Sequence, residues 1–325
     1  MQVISTTAAA LKPTAIALGN FDGVHRGHQL VLQPVLQREL ALVGEFSSPP
    51  LRERVYATAV TFTPHPREFF TGESRQLLTP RAEKAQALAR LGLDQMVLLP
   101  FDRELARLTP EDFVQDLLLH QLQATRISIG EDFRFGRDRA GTAADLRAIA
   151  HRHGCEVVVT PLATLAAERI SSSRIRAALQ AGDVELAQHL LGRPYTLHGT
   201  VVHGQHLGRQ LGFPTANLSL PPDKFLPRYG VYAVQVALGR DPCIATPYPA
   251  VMNLGCRPTV KAGDAPTGEI HLLDWQGDLY GQELAVNLRH FLRPEQRFES
   301  LTALQAQIQQ DCAQARHCLA NHREG

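Results

Sequence analysis

Lysine is scarce in this chain of 325 residues, which has only Lys12, Lys84, Lys224 and Lys261. Arginine supplies the other positive charges, and 33 basic residues balance 32 acidic ones to leave a net charge of +1. A nearly neutral chain lacks the broad basic surface that binds nucleic acid or anionic membranes, so we expect neither as a partner. Any bound phosphate group must be held mainly by arginine, by backbone N–H groups or by a metal ion.

Cysteine motifs and long apolar segments are also missing. The five cysteines are scattered and form no CxxC pair, which argues against a disulfide framework or a zinc quartet and favours a reducing compartment. No apolar run reaches the length of a bilayer span, and the first residues show no basic segment followed by an apolar one. We therefore expect a cytoplasmic protein without a membrane segment, long enough for two domains.

The two halves of the chain follow different patterns. Between Thr14 and about Leu191, short apolar runs alternate with amphipathic, capped stretches, which predicts a doubly wound parallel sheet. After Gly192, short strand-like runs are separated by Gly, Pro and Asp turns, which predicts an antiparallel β-barrel followed by a C-terminal helix. We expect the two domains to be residues 1–185 and 186–325.

The segment GNFDGVHRGHQ, residues 19–29, follows the apolar run TAIAL. Its glycines let the backbone approach a ligand closely, and a helix that begins near His25 would turn its unpaired N–H groups toward the same place. The segment could be a phosphate site, a metal site with Asp22 as the nearest further ligand, or a helix start that happens to carry His25 and His28. We favour the phosphate site, because both imidazoles could donate to phosphate oxygens, whereas a metal would need a third and a fourth ligand and only Asp22 is near in sequence.

A second motif, GTVVHGQHLGRQLGFPTANLSL at residues 199–220, is dense in glycine and contains no P-loop signature. A glycine-rich turn between strands can still wrap phosphates with backbone N–H groups. Thr215 and Asn217 are two apart on an extended segment, so their side chains would point the same way and offer oxygens that suit Mg²⁺. A glycine-rich hairpin in which both residues make local turn bonds explains the motif equally well, and both interpretations stay open here.

His25-Arg26-Gly27-His28 resembles the HxGH signature of the nucleotidylyltransferases, which binds ATP phosphates. Together with TFTPHP (61–66), GEDFRFG (130–136) and ISSSRIRAAL (170–179), it is similar to the FAD synthetase module of bacterial riboflavin kinase/FAD synthetases. The resemblance implies a Rossmann-like nucleotidylyltransferase domain that transfers AMP from ATP to FMN. It also implies an ATP site, with His25 and His28 catalytic, formed by Gly19, Phe21, Asp22, His25, His28, Asp132, Ser172, Ser173 and Arg176.

GRQLGFPTAN in the second half is very similar to the riboflavin kinase signature. YGVYAVQV (229–236), NLGCRPT (253–259), EIHLLDWQGDLYG (269–281) and LRPEQRFESLTALQAQIQQD (292–311) follow in that family's order. The resemblance implies phosphorylation of riboflavin, with Glu269 as the general base for the ribityl hydroxyl. It implies ATP or flavin contacts from Gly208, Gly212, Thr215, Asn217 and Arg257, and Mg²⁺ binding by Thr215 and Asn217.

The sequence thus predicts a bifunctional transferase that makes FMN from riboflavin and FAD from FMN, with ATP as co-substrate and Mg²⁺ in both steps. Flavin would be substrate and product, not a redox cofactor. One rival hypothesis is another nucleotidylyltransferase with an unrelated barrel, which would have no reason to contain GFPTAN or Glu269. A second rival is a flavin-binding or RNA-binding regulator with degenerate sites, against which the intact His25, His28 and Glu269 and the neutral charge argue.

Overall fold

The computed structural model describes residues 1–37, 54–203, 208, 211–239, 247–255 and 267–320. The chain divides into two compact units, Met1–Ser172 and Ser173–Gly325.

The first unit contains a six-stranded sheet in which all paired strands run parallel. Its strands are β1 (Gln2–Ile4), β2 (Thr14–Leu18), β3 (Tyr56–Thr63), β4 (Gln95–Pro100), β5 (Ala124–Gly130) and β6 (Glu156–Thr160). They lie in the order β1–β4–β3–β2–β5–β6, so the chain moves to one side of β2 first and later returns to its other side. The predicted doubly wound sheet is confirmed, and the strand order reverses at β2.

Helices cover both faces of this sheet. In β2, Ile16 and Leu18 pack with one hydrophobic cluster, whereas Ala15 and Ala17 pack with the other, because successive side chains of a strand point to opposite faces. The helices are α1 (Arg26–Leu36), α2 (Pro66–Thr71), α3 (Arg81–Arg90), α4 (Arg103–Arg107), α5 (Pro110–Asp112), which continues as a π-helical stretch (Phe113–Gln121), and α6 (Ala143–His151). A two-stranded hairpin follows, formed by β7 (Thr164–Leu165) and β8 (Glu168–Arg169).

The second unit contains a closed antiparallel barrel and a long C-terminal helix, as predicted. The chain enters it through α7 (Ser172–Ala181) and α8 (Val184–Leu191), which is capped by Asp183 and ends at the left-handed Gly192. The strands are β9 (Tyr195–Val202), β10 (Ala216–Ser219), β11 (Gly230–Leu238), β12 (Tyr248–Gly255), β13 (Thr267–Leu272) and β14 (Glu283–Arg293), and the last helix is α9 (Leu301–Ala320). Their order around the barrel is β10–β13–β12–β11–β14–β9.

Helix α9 is held on the barrel by apolar packing and by one buried ion pair. Ala315 and Leu319 pack against Val231 of β11 in a common hydrophobic cluster. The Arg293 guanidinium binds the Asp311 carboxylate through Nε at 2.9 Å and Nη2 at 2.7 Å, and Asp311 is only 3% exposed. A bidentate pair in this setting fixes the position of α9 against β14, because a buried charge is tolerated only with its partner in place.

We predict that Asp311→Asn lowers the free energy of unfolding by about 3 kcal/mol, because it leaves a largely buried guanidinium without its counter-charge. Arg316 of α9 forms a second ion pair with Asp274, but both side chains are exposed. Asp274→Asn is therefore the matched control and should change stability little. Urea unfolding followed by the fluorescence of Trp275, the chain's single tryptophan, reports on the second unit. Equal shifts for the two variants would contradict the prediction.

Candidate functional sites

The turn that leads from β2 into α1 lies at the carboxyl end of β2, where the strand order reverses. Ligands of doubly wound sheets bind at this place, because the chain leaves the sheet in opposite directions there and opens a crevice. Helix α1 begins at Arg26, and His25 is its N-cap residue. The His25 Nδ1 atom accepts the backbone N–H of His28 at 3.2 Å, so an imidazole here replaces the usual hydroxyl or carboxylate cap.

The two histidines lie against each other. Their rings stack with centroids 3.6 Å apart and planes inclined by 14°, and the ring of Phe21 meets His28 edge-on at 5.4 Å. His25 is 5% exposed. Since Nδ1 of His25 accepts a hydrogen bond, the proton of the neutral ring is on Nε2. The structure thus brings the predicted pair together at a helix N-terminus, the arrangement that suits a phosphate.

The backbone of this turn is strained. Phe21 has φ of 47° and Val24 has φ of 43°, a left-handed conformation that bulky and β-branched residues rarely adopt. Both side chains are fully buried. A Cβ on Gly19 would lie 3.1 Å from the Phe21 ring, so any larger residue there would press on that ring. Such strain costs about 1–3 kcal/mol per residue and persists only where the surroundings hold it, which is typical of ligand sites.

Buried polar groups hold the turn from several sides. Asp22 is 5% exposed, and its carboxylate accepts the backbone N–H of Thr79 at 3.2 Å. The Thr79 hydroxyl accepts the N–H of Gly23 at 2.8 Å, and the Ser172 hydroxyl donates to the Asp22 carbonyl at 2.8 Å. The structure therefore unites two predicted site residues, Asp22 and Ser172. It adds Thr79, which no motif in the sequence indicated.

A cavity of about 830 Å³ opens at the carboxyl ends of the strands. Gly19 and Asn20 of the turn line it, as does Asp132 from the loop after β5. Aromatic rings form much of its wall, and Phe70 is 70% exposed. Apolar rings suit a flat aromatic ligand, and arginines at the same cavity suit a phosphate. The aromatic and arginine lining consists of Phe62, Phe70, Phe101, Phe113, Phe133, Phe135, Arg67, Arg134 and Arg139.

Three further residues of the predicted ATP site are placed as follows. Asp132 forms an ion pair with Arg169 of β8, and both side chains are about half exposed. Ser173 and Arg176 lie on α7 in the second unit, where the Arg176 guanidinium sits 5.3 Å from the centroid of the Phe225 ring. The roles expected for Ser173 and Arg176 stay predictions.

In the second unit, three polar side chains form a row across neighbouring strands. Asn217 of β10 lies directly opposite Glu269 of β13, and Asn253 of β12 lies opposite Glu269 on its other side. Residues paired in this way project to the same face with Cβ atoms about 5 Å apart. The row pairs the predicted Asn217 and Glu269 and adds Asn253. Asn253 is the first residue of the segment NLGCRPT, and no local feature of that segment predicts a role for it.

Gly208 of the glycine-rich motif lies close to Thr215. A Cβ on Gly208 would lie 2.4 Å from the Phe213 carbonyl oxygen and 3.2 Å from the Thr215 hydroxyl, so only glycine allows this close approach. Gly212 has φ of 85°. Arg257 is outside the described residues.

Thr215 also lines a cavity of about 660 Å³. Other walls come from Ala216, Ile270, Trp275 and Tyr280, and the Tyr280 ring stacks on His203 with centroids 4.2 Å apart. Ala216 and Ile270 project to the opposite face from Asn217 and Glu269, because side chains alternate along a strand. Thr215, which directly precedes β10, lines this cavity as well and lies two residues before Asn217 of the polar row.

Among the described residues, no three His, Cys, Asp or Glu side chains are grouped so that they could hold a metal ion. Cys155 lies in the hydrophobic core of the first unit, and burial raises the pKa of its thiol to about 12. In the part of the chain that the structure describes, no helix is both long and apolar enough to cross a bilayer.

Comparison with known proteins shows which family has these features. A family model described as FAD synthetase matches residues 7–174, and one described as riboflavin kinase matches residues 191–319. A bifunctional riboflavin kinase/FMN adenylyltransferase from Pseudomonas fluorescens is 41% identical over 92% of this chain and 91% of its own. The chain belongs to the riboflavin kinase/FMN adenylyltransferase family.

Two further proteins are similar to this chain along nearly their whole length. The Escherichia coli K12 relative is 42% identical over 93% of this chain and 91% of its own. A solved structure described as a macrolide-efflux protein from Streptococcus pneumoniae superposes with a TM-score of 0.82 at 28% identity, covering 97% of this chain and 98% of its own. The FAD synthetase match contains the turn at residues 19–29, and the riboflavin kinase match contains Asn217, Asn253 and Glu269.

Proposed function

We propose that the second unit phosphorylates riboflavin to FMN and that the first unit adenylylates FMN to FAD, each step using ATP. FMN formation releases ADP, and FAD formation releases pyrophosphate. The observation that carries the proposal is that the two family matches fall largely on separate compact units, each with its own cluster of polar residues. For the functional domains we propose residues 1–185 and 186–325.

In the adenylyl transfer, an oxygen of the FMN phosphate attacks the α-phosphorus of ATP. The new P–O bond forms as the bond to the β-phosphate oxygen breaks, and pyrophosphate leaves. We assign the binding of the ATP phosphates to His25, His28 and the first N–H groups of α1. Donors fixed at a helix N-terminus stabilise the negative charge that builds up on the phosphoryl oxygens without having to reorganise.

The 830 Å³ cavity is our proposed FMN site. Its phenylalanine rings offer stacking surfaces for the isoalloxazine ring, and Arg67, Arg134 and Arg139 offer donors for the phosphate. Asn20 lines this cavity and belongs to the turn that carries the histidines, so one segment would contact both substrates.

In the kinase reaction, Glu269 takes the proton from the ribityl hydroxyl as that oxygen attacks the γ-phosphorus, and ADP leaves. Asn217 and Asn253 flank Glu269 on the neighbouring strands. Carboxamide groups at these positions can hold a carboxylate in one orientation. The cavity beside Thr215, with its Tyr280 and Trp275 rings, suits the adenine of ATP.

The donor set near Thr215 and Asn217 fits Mg²⁺. A hydroxyl, a carboxamide oxygen and the neighbouring Glu269 carboxylate are hard oxygen ligands of the kind this ion prefers. When bound with ATP, the ion neutralises and orients the phosphate oxygens. We also propose a cytoplasmic location, supported by the scattered cysteines, of which Cys155, Cys312 and Cys318 are free thiols.

Incubation of the purified chain with riboflavin, ATP and Mg²⁺, followed by chromatography, tests the proposal directly. We expect FMN to appear first and FAD to follow. Absence of both flavin nucleotides would refute the proposed function. FMN without FAD would refute the adenylyltransferase assignment.

We predict that Glu269→Gln and His28→Ala separate the two activities. Loss of the general base should slow FMN formation at least about 100-fold, while FMN added from outside is still converted to FAD. His28→Ala should do the reverse, because it removes a donor from the adenylyl transfer only. Each variant is the other's control, and separate assays of the two steps provide the measurement. A similar loss of both activities in either variant would contradict the two-site assignment.

A further prediction concerns the row that contains Glu269. In Asn253→Asp, a second carboxylate faces Glu269, and repulsion between the two charges favours the protonated form. The acid limb of the pH profile of kcat/KM for riboflavin phosphorylation should therefore move to higher pH. Asn287→Asp is the matched control, because Asn287 is a buried barrel asparagine paired in register with Thr196 and Gln235. An equal shift in the control, or none in Asn253→Asp, would contradict the assignment of Glu269 as the general base in this row.

A further inference from the structure

We propose that Lys84 is a positioning residue for the adenylyl transfer, which it serves by holding the turn between β2 and α1. The proposal rests on the proposed function of the first unit. No sequence motif contains Lys84, and it lies on α3, far along the chain from the histidines.

Lys84 is a buried cation that binds the backbone of the turn. It is 8% exposed, and its Nζ atom donates to the carbonyl oxygen of Asn20 at 2.8 Å. The Thr61 hydroxyl at the end of β3 donates to the same carbonyl at 3.2 Å. Burial of an ammonium destabilises the folded state unless the group is paired and hydrogen-bonded. The buried position of Lys84 therefore implies that its contacts with the turn offset this penalty.

Asp22 supplies the opposite charge. Burial lowers the pKa of the Lys84 ammonium, and the buried Asp22 carboxylate opposes that effect. The Asp22 carboxylate also accepts the N–H of Thr79, two residues before α3 begins. Helix α3 and the residues leading into it therefore bind the turn at three successive points, through Asn20, Asp22 and Gly23.

The turn needs such support because its backbone is strained. Phe21 lies between the held residues Asn20 and Asp22, and Val24 directly follows Gly23, and both adopt positive φ values. Without the ammonium, the Asn20 carbonyl loses its charged donor and Asp22 loses a neighbouring positive charge, so the turn can relax. Because His25 directly follows the turn and caps α1, relaxation would move both imidazoles. A displacement of about 1 Å at reacting groups lowers rates about 100-fold.

The residue type fits this role. An ammonium is a compact point charge that can sit on one carbonyl, whereas a guanidinium presents a wide planar fork. Arginine greatly outnumbers lysine in this chain, yet a lysine occupies this buried position.

The experiment uses the full chain with Lys84→Met, Thr79→Val and Thr79→Ser. Lys84→Met keeps the length and apolar stem but removes the charge and donor. Thr79→Val removes the hydroxyl that accepts the Gly23 N–H, and Thr79→Ser restores it. We expect kcat/KM for ATP in FAD formation to fall about 100-fold in Lys84→Met. It should fall in Thr79→Val and recover in Thr79→Ser.

Two controls separate positioning from general damage. Riboflavin phosphorylation, measured in the same samples, should be unchanged in all three variants, and Lys12→Met should leave both activities unchanged. The double variant Lys84→Met/Asp22→Asn should lose less kcat/KM for ATP than the product of the two single-variant losses. The reason is that each residue contributes less to holding the turn once its partner is gone. Equal losses of both activities, or losses that simply multiply, would overturn the proposal.

Hydrogen exchange gives a readout that does not depend on activity. The Gly23 and His28 amides donate to Thr79 and His25, so both should exchange faster in Lys84→Met than in the unaltered chain. Unchanged exchange at both amides would overturn the proposal even if FAD formation fell. If the unaltered chain forms no FAD, the proposed function fails by itself, and the exchange rates alone then decide whether Lys84 holds the turn.

Discussion

The reversal of strand order at β2 is the constraint on which the chemistry of the first unit depends. It opens a crevice at the carboxyl end of β2, and α1 must begin beside that crevice to return along the sheet. The turn between them has few residues and still buries Phe21 and Val24. The backbone is left-handed at these two residues. The strain, the imidazole cap and the buried polar partners therefore all lie where the strand order reverses.

Barrel closure has a similar role in the second unit. In a closed antiparallel sheet, residues in register form rows around the wall, and each row faces either the interior or the outside. Asn217, Glu269 and Asn253 occupy one row, which continues to Val231 on β11. Val231 packs against α9, so the row faces the helix side of the wall and not the barrel interior. The Arg293–Asp311 pair, which fixes α9, therefore also shapes the surroundings of Glu269.

Local patterns predicted the parts of this protein that depend on neighbouring residues. The run TAIAL forms β2 with the expected bounds, and α1 begins at Arg26 with His25 as its N-cap, because burial and capping produce sequence patterns within a few positions. Lys84, Thr79 and Asn253 were not predicted as site residues, since their contacts join segments tens of residues apart. A lysine in a helical stretch and an asparagine in a strand have no local feature that reveals such partners. The phenylalanines of the large cavity likewise come from β3, from two helices and from the loops after β4 and β5, and they meet only in the folded domain.

The scarcity of lysine has a different meaning in the folded protein than in the sequence. Few lysines suggested that phosphates would be bound by other groups, and the arginines of the large cavity fit that expectation. Two of the lysines are instead buried cations, Lys84 on the Asn20 carbonyl and Lys224 at 4.4 Å from the centroid of the Tyr195 ring. A flexible, compact ammonium can reach a single carbonyl or ring inside a core where a guanidinium would need a wider polar surface. A charged residue type that is rare in a chain can thus have an internal role, although composition alone points to the surface.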